Sequence, residues 1–336
     1  MYNRRSMTHP LDYTALEGTL EKTEVDAYKQ NRVGNAPPLY ISRGKTAIIP
    51  LVLFSLWVLY ISFRSGSVLP ALFFISLVTI IGFFYWVSYN NSIKLRARLF
   101  KFAAQNNLEW IEGVLDPHYS GMIFDNGHSR RIDEALRFKN GTEIGNFTYI
   151  TGSGKNQRSF TWGYVRIKLV RRLPHMVLDA KDNNVWRRFS SLSDSFDRSQ
   201  VLSLEGNFDD YFTLYAPIKY ERDALYVFTP DVMAALIDHG RQYDIEIIDD
   251  ELFIYNITRF KLETPQLYGP LLKIINTIGG ELVDQTDYYA DERVGDRTAN
   301  IVAPAGRRLR SGYSWLVVVM VVVIIYFGVI QPLLQR

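Results

Sequence analysis

The sequence predicts an α+β protein: a mostly antiparallel cytoplasmic domain bracketed by three transmembrane α-helices, two before it and one after. Three observations predict this. In a chain where 22% of 336 residues are charged, no charge falls from Thr46 to Phe63, from Ser65 to Ile93, or from Ser311 to Gln335. Lys and Arg gather at one side of those stretches only. Between them, short strand patterns mix with capped helices without the βαβ rhythm of a parallel sheet.

Residues 1–45 form a polar tail with Pro37-Pro38 near its end. Its apolar positions are too sparse for a stable core. The tail is expected to be a disordered cytoplasmic segment, with a peripheral helix over Leu11 to Gln30 as the alternative. The first span is placed at 46–63, about 27 Å as a helix, where Lys45 and Arg64 can snorkel to the interfaces. The second is placed at 68–89 and the third at 313–334, whose Val317 to Ile325 run strongly favours insertion. A cleaved leader is not expected, because 45 residues precede the first apolar stretch and no small-residue cleavage pattern follows it.

Orientation follows from the basic flanks. Arg43 and Lys45 precede the first span, Lys94, Arg96, Arg98 and Lys101 follow the second, and Arg307, Arg308 and Arg310 precede the third. These clusters share one side if the N-terminus is cytoplasmic, which puts the C-terminus outside. Tyr40, Trp86, Tyr89, Tyr313 and Trp315 then mark the same interface. A multi-pass protein of the cell (plasma or inner) membrane is expected.

The domain between spans is placed at 90–312. Lys94 to Trp110 reads as a helix leaving the membrane, with Leu95, Leu99, Phe102 and Ala103 on one face. Thr142 to Thr151 and Phe160 to Leu173 read as a hairpin joined by Gly152-Ser153-Gly154-Lys155-Asn156. Met176 to Asp179 and Val201 to Leu204 are shorter strands, and Ser190 to Ser199 is a loop. Thr229-Pro230-Asp231 starts a helix by hydroxyl cap, N1 proline and acid at the dipole, and Gly240 is expected to cap its C-terminus. Tyr243 to Ile257 reads as a second hairpin turning at Asp249-Asp250. Thr264-Pro265 starts a helix that Gly279-Gly280 should end.

Without cysteine, disulfides, thiol chemistry and cysteine-based zinc sites are excluded. No cofactor, metal or catalytic residue is expected. Thr151 to Lys155 lacks the glycine and the hydroxyl that a phosphate-binding loop needs. The five histidines fall in no ligand spacing; Asp116 with His118, and Asp125 with His128, are surface loop residues unless folding joins them. His239 suits a helix C-terminus. Asp209-Asp210 and Asp249-Asp250-Glu251 read as turn chemistry.

Charge divides the domain. Residues 102–200 hold 14 Lys/Arg against 11 Asp/Glu, and residues 201–306 hold 8 against 19. The acidic half is a poor match for nucleic acid. Within the basic half, strand alternation puts Arg166, Lys168 and Arg172 on one face, a possible contact with anionic headgroups.

Leu204 to Phe208 (Leu-Glu-Gly-Asn-Phe), Tyr211-Phe212, Tyr215-Ala216, Glu221 to Ala224 and Thr229-Pro230 through Met233 and Leu236 resemble a family of bacterial membrane proteins. It is the domain-of-unknown-function family numbered 3137, with relatives of the Saccharibacteria type. Glu205, Phe208, Phe212, Arg222, Asp223, Thr229 and Pro230 are the residues that carry the resemblance. It implies two spans followed by a cytoplasmic domain, and no activity, ligand or catalytic residue; the third span departs from that plan. The expected function is a non-enzymatic, membrane-anchored module that binds a partner protein or the inner leaflet. The rivals are an enzyme acting on a membrane-associated substrate and an accessory subunit of a transport or secretion complex.

Overall fold

A computed structural model describes residues 11–31, 54–58, 60–183, 196–296 and 298–312, with 323, 326 and 331 of the last apolar stretch. The chain divides into two compact units, Leu11–Val114 and another beginning at Leu115.

In the first unit, residues 54–58 and 60–65 are helical. Gly66 reverses the chain at φ +63°, and the Phe54 ring then meets Phe74 edge-on at 5.4 Å. Helix α3, Leu69–Gln105, runs 37 residues without a break, about 55 Å. The expected second span and the helix leaving it are thus one rod. It stops short of Trp110 because Asn107 takes a positive φ of 54°, after which strand β1, Glu109–Leu115, begins. Among the described residues, α3 is the one helix long and apolar enough to cross a membrane. Residues 46–53 of the first expected span, and all but three residues of the third, lie outside the described residues.

Over residues 11–31 the tail takes the helical alternative rather than disorder, and the rest of it lies outside the described residues. Helices α1, Thr14–Glu17, and α2, Lys22–Asn31, are formed. Tyr28 of α2 is buried with Ile93 and Ala97 of α3, and Leu20, Val25 and Phe100 pack around them. Tyr13 stacks on Phe102 at 6.0 Å. Basic residues after the apolar stretch supply the rest: Lys101 pairs with Glu24 at 2.6 Å, and Arg98 donates to the Gly18 carbonyl at 3.4 Å. The sparse apolar residues of the tail suffice because α3 offers them a ready face.

The second unit is an antiparallel sheet. β2 (His128–Arg137), β3 (Glu143–Thr151), β4 (Arg158–Ala180), β6 (Phe212–Tyr215) and β5 (Val201–Leu202) lie in that order, and β7 (Asp244–Asn256) pairs along β4. The β3–β4 hairpin forms as its sequence predicts, from Thr151↔Arg158 to Glu143↔Arg166. Met176 to Asp179 is the far end of β4 rather than a separate strand.

The expected hairpin at Tyr243 to Ile257 is instead the single strand β7. Asp249 has the positive φ of a turn, 54°, but the chain bends there without reversing. Opposite it the register jumps from Lys168↔Glu251 to Leu173↔Asp249, so β4 carries the extra residues as a bulge. Aspartate chemistry marked an irregularity correctly and its type wrongly.

Both sheet faces are covered. On one, Phe124 is fully buried and its ring lies 4.6 Å from Phe147, 5.3 Å from Tyr164 and 5.6 Å from Phe253. On the other, α7 (Gly280–Thr286) packs against β4, and α4 (Glu221–Val227), α5 (Pro230–Ala235) and α6 (Pro265–Ile274) pack with it or with the segment before it. Thr229 caps α5, its hydroxyl accepting from the Val232 N–H at 3.4 Å. Helices α5 and α6 each pass into a π-helical segment, Leu236–Gly240 and Ile275–Gly279. Gly279 does not end a helix. It keeps a helical φ of −64°, and a Cβ there would sit 2.8 Å from the Ile167 side chain. Close packing on β4, not capping, is what that glycine serves.

Four side-chain amides stitch distant segments together. Asn106 accepts from the Asp12 N–H at 2.7 Å and donates to its carbonyl at 3.0 Å. Asn146 does the same for Phe260, at 2.7 and 3.0 Å, and Gln200 for Arg310, at 2.8 and 2.9 Å. Asn300 spans the β4 bulge, donating to the Val170 carbonyl at 3.2 Å and accepting from the Arg172 N–H at 2.7 Å. Each amide stands in for the strand neighbour that this backbone lacks.

Candidate functional site

Polar groups converge at three places in the second unit. Beneath the Phe124 segment, the fully buried Glu143 accepts from the Tyr119 hydroxyl at 3.0 Å, from the Tyr164 hydroxyl and from Arg137 Nη2 at 2.8 Å. The Arg166 guanidinium lies 4.2 Å over the Tyr119 ring and donates through Nε to Glu251 at 2.7 Å. Burial, reinforced by the Glu143 charge, pushes the Tyr119 hydroxyl up to about 12 and Tyr164 well above its ordinary value. Both therefore act as neutral donors to the carboxylate.

At the other end of the β4–β7 pair, Glu246 accepts from the Met122 N–H at 2.8 Å, the Tyr255 hydroxyl at 2.6 Å and His175 Nε2 at 2.8 Å. The Leu309 N–H donates to His175 Nδ1 at 3.0 Å, which fixes the proton on Nε2. His175 thereby joins the sheet to residues 308–312. Arg308 adds an ion pair to Asp249 at 2.8 Å, and Phe196 bridges Ser311.

The third cluster holds the motif segment. Asp291 accepts from the Tyr220 hydroxyl at 2.7 Å, the Ala303 N–H at 2.9 Å and the Arg293 N–H at 2.9 Å. Burial acts to raise its carboxyl, and these donors outweigh it, so it stays below the usual carboxylate range. Arg293 stacks 3.7 Å over the Tyr220 ring and pairs with Asp223 at 3.0 Å, to which the Tyr289 hydroxyl donates at 2.7 Å.

The residues singled out from sequence scatter across these places. Arg166 does not join an open basic face. The Phe124 segment covers that face and Arg166 turns inward to Glu251, leaving Lys168, which pairs with Asp250 at 2.8 Å, and Arg172 toward solvent. Of the motif residues, Phe208 and Phe212 stack at 5.0 Å in the core, Thr229 and Pro230 open α5, and Asp223 is tied to Arg293. Glu205 is exposed, and Arg222 stands exposed 3.8 Å from Glu292.

Asp116 and Asp125 both face Arg130, at 2.7 and 3.6 Å, and His128 contacts Ser129 and the Gly152 carbonyl. Among the described residues no group of carboxylates and imidazoles is arranged to hold a metal. Asp209 accepts from the Ser203 hydroxyl and the Leu204 N–H, as a turn aspartate does. Gly154–Asn156 is a 3-10 turn inside the hairpin.

Sequence reasoning missed Glu143, Glu246 and His175. Their partners lie up to 134 residues away, so no local spacing announces them. The one available signal is an acid flanked by isoleucine in a strand, on both sides at Ile245-Glu246-Ile247 and on one side in Glu143-Ile144, where burial demands partners.

No protein-family model matches the chain, and no curated protein matches it. Among solved structures, the crystal structure of the mycobacterial trehalose monomycolate transport factor A aligns with 55% of this chain and 96% of its own, at a TM-score of 0.35 and 7% identity. A likeness that distant carries no argument about fold or function.

Proposed function

We propose that the chain is a membrane-anchored cytoplasmic module whose sheet domain binds a partner protein at the inner face of the cell membrane. Helix α3 carries the reading. It presents Phe73, Ile75, Ile81, Phe84 and Trp86 to its surroundings, each more than half exposed, and then enters a compact unit without interruption. The finer layout goes with this proposal: spans at 46–63, 68–89 and 313–334, a cytoplasmic N-terminus, an extracytoplasmic C-terminus, and membership of the domain-of-unknown-function family numbered 3137. A protein partner is favoured over the lipid surface because Arg166 and Lys168, two of the three basic residues suited to headgroups, are engaged with Glu251 and Asp250.

Topology reporters test the layout in the full chain. A fusion after Arg336 is expected to report an extracytoplasmic end and an insertion within 190–199 a cytoplasmic one. A cytoplasmic reading after Arg336 removes the third span, and an extracytoplasmic reading at 190–199 overturns the whole orientation.

A further inference from the structure

The exposed side of α4 and the turn after α7 form a surface that the internal structure does not use. The inner face of α4 is spent on the core, with Ala224 and Val227 fully buried. Its outer face shows Glu221, Arg222, Leu225 and Tyr226, with Leu225 49% exposed. Glu221 and Leu225 lie one turn apart on the same side. Tyr226 is held rigidly, its hydroxyl donating to the Gln285 carbonyl at 2.6 Å and its ring 6.1 Å from Tyr289. The next residue along from Tyr289, Tyr288, is 89% exposed. Leu225 and the held Tyr226 ring stand side by side on the helix, and the chain next to Tyr289 adds the exposed Tyr288; such groups mark an interaction surface, and tyrosine is among the residue types that anchor one.

The rim decides the partner. Glu221 and Glu292 border the patch, with Arg222 between them 3.8 Å from Glu292, and the surrounding residues 201–306 carry 8 Lys/Arg against 19 Asp/Glu, an excess of acid. Such a face is repelled by anionic lipid and attracts cations. Cytoplasmic flanks of membrane-spanning segments carry an excess of Lys and Arg, and a tethered domain meets them at high local concentration. We infer that the Leu225–Tyr226–Tyr288 face docks the basic, apolar-containing cytoplasmic flank of a second membrane protein. This rests on the module reading above and names the surface and the chemistry of its partner.

Two experiments on the full chain in neutral detergent or in native membranes test it. The probe for the first is a fluorescent synthetic peptide of Lys, Arg, Leu and Phe, with a control in which Glu replaces each cation. The basic peptide is expected to bind in a salt-sensitive manner and the acidic one not. Leu225→Ser with Tyr288→Ser, and separately Glu221→Lys with Glu292→Lys, should each weaken binding about tenfold or more, while Asp125→Lys on another surface should not. These positions are exposed, so folding is checked by an unchanged unfolding transition. Absent binding, equal binding of the acidic peptide, or equal loss with Asp125→Lys overturns the inference.

In the second experiment a photocrosslinking residue replaces Tyr288 or, on another surface, Phe160. Crosslinks to a membrane protein from position 288 that disappear with Glu221→Lys and Glu292→Lys support the inference. Crosslinks from position 160 alone overturn it and leave the module reading standing, and none from either position counts against both.

Discussion

The two halves of α3 invert the rule that holds in water. Over Leu69 to Tyr89 the helix is almost wholly apolar and exposed: Leu69 and Phe73 are each 71% accessible and Trp86 61%. Over Ile93 to Ala103 it carries Lys94, Arg96, Arg98 and Lys101, yet Arg96 is only 6% exposed. The charged half is the buried one. Arg96 meets Glu112 at 2.5 Å, and the Tyr28 hydroxyl completes that carboxylate at 2.7 Å. One continuous rod is therefore built for two surroundings. Its first half leaves apolar area uncovered, which costs about 25 cal/mol per Å² in water and nothing in hydrocarbon. Its second half uses its cations, Arg96, Arg98 and Lys101, to fasten residues 12–31 against it.

The sharpest way to break the contrast is in the buried half. Arg96→Ala strands Glu112 and is expected to destabilise the first unit by about 3–5 kcal/mol, whereas Arg96→Met with Glu112→Leu should recover most of that loss. Denaturant unfolding in detergent, followed by amide exchange across α2 and β1, measures both. If the double change is as damaging as the single, the pair is not what holds the unit.

A charge in the outer half comes next. Ile80→Lys, at a position 52% exposed, should cost about 3 kcal/mol of membrane insertion, seen as partial release from washed membranes. The same substitution on a helix standing in water would cost almost nothing, so full retention breaks the comparison at its other end. Tyr28→Phe removes one donor to a buried carboxylate and should cost about 1.5–3 kcal/mol, read as faster amide exchange across α2.

The smallest effect is a matter of pH. The side-chain bond from Lys101 holds the Glu24 carboxyl below its ordinary value of 4.5. A depressed carboxyl stabilises the folded form above that ordinary value, and the contribution fades as pH falls through the folded one. Docking of α2 should therefore loosen slightly below pH 4.5, and Glu24→Gln should remove that dependence when amide exchange is compared across the range.

Local chemistry was readable where one segment answers to itself. Thr229-Pro230 opens a helix by its own cap, the β3–β4 hairpin follows alternation, and the length of α3 follows from an unbroken run. What could not be read depends on distant partners. Asp249-Asp250 looks like a hairpin turn until β4 lies alongside and makes it a kink. Gly279 looks like a stop signal until Ile167 presses against it. Arg166 sits on an outward face by strand parity, and only the chain from Tyr119 to Phe124 folding over that face turns it inward. Residues 11–31 leave disorder and helix both open for the same reason: their few apolar residues are too sparse alone and sufficient beside Ile93 and Ala97.

The amide stitches carry a consequence for covalent ageing. Deamidation replaces an amide NH₂ by a carboxylate oxygen, so at Asn106, Asn146, Gln200 and Asn300 a donor aimed at a carbonyl becomes a negative charge aimed at it. Each junction would be lost by the same one-atom change, and with Asn106 the tail loses its tie at Asp12. Four junctions of this fold thus rest on side chains that a single hydrolysis would turn from donor to charge.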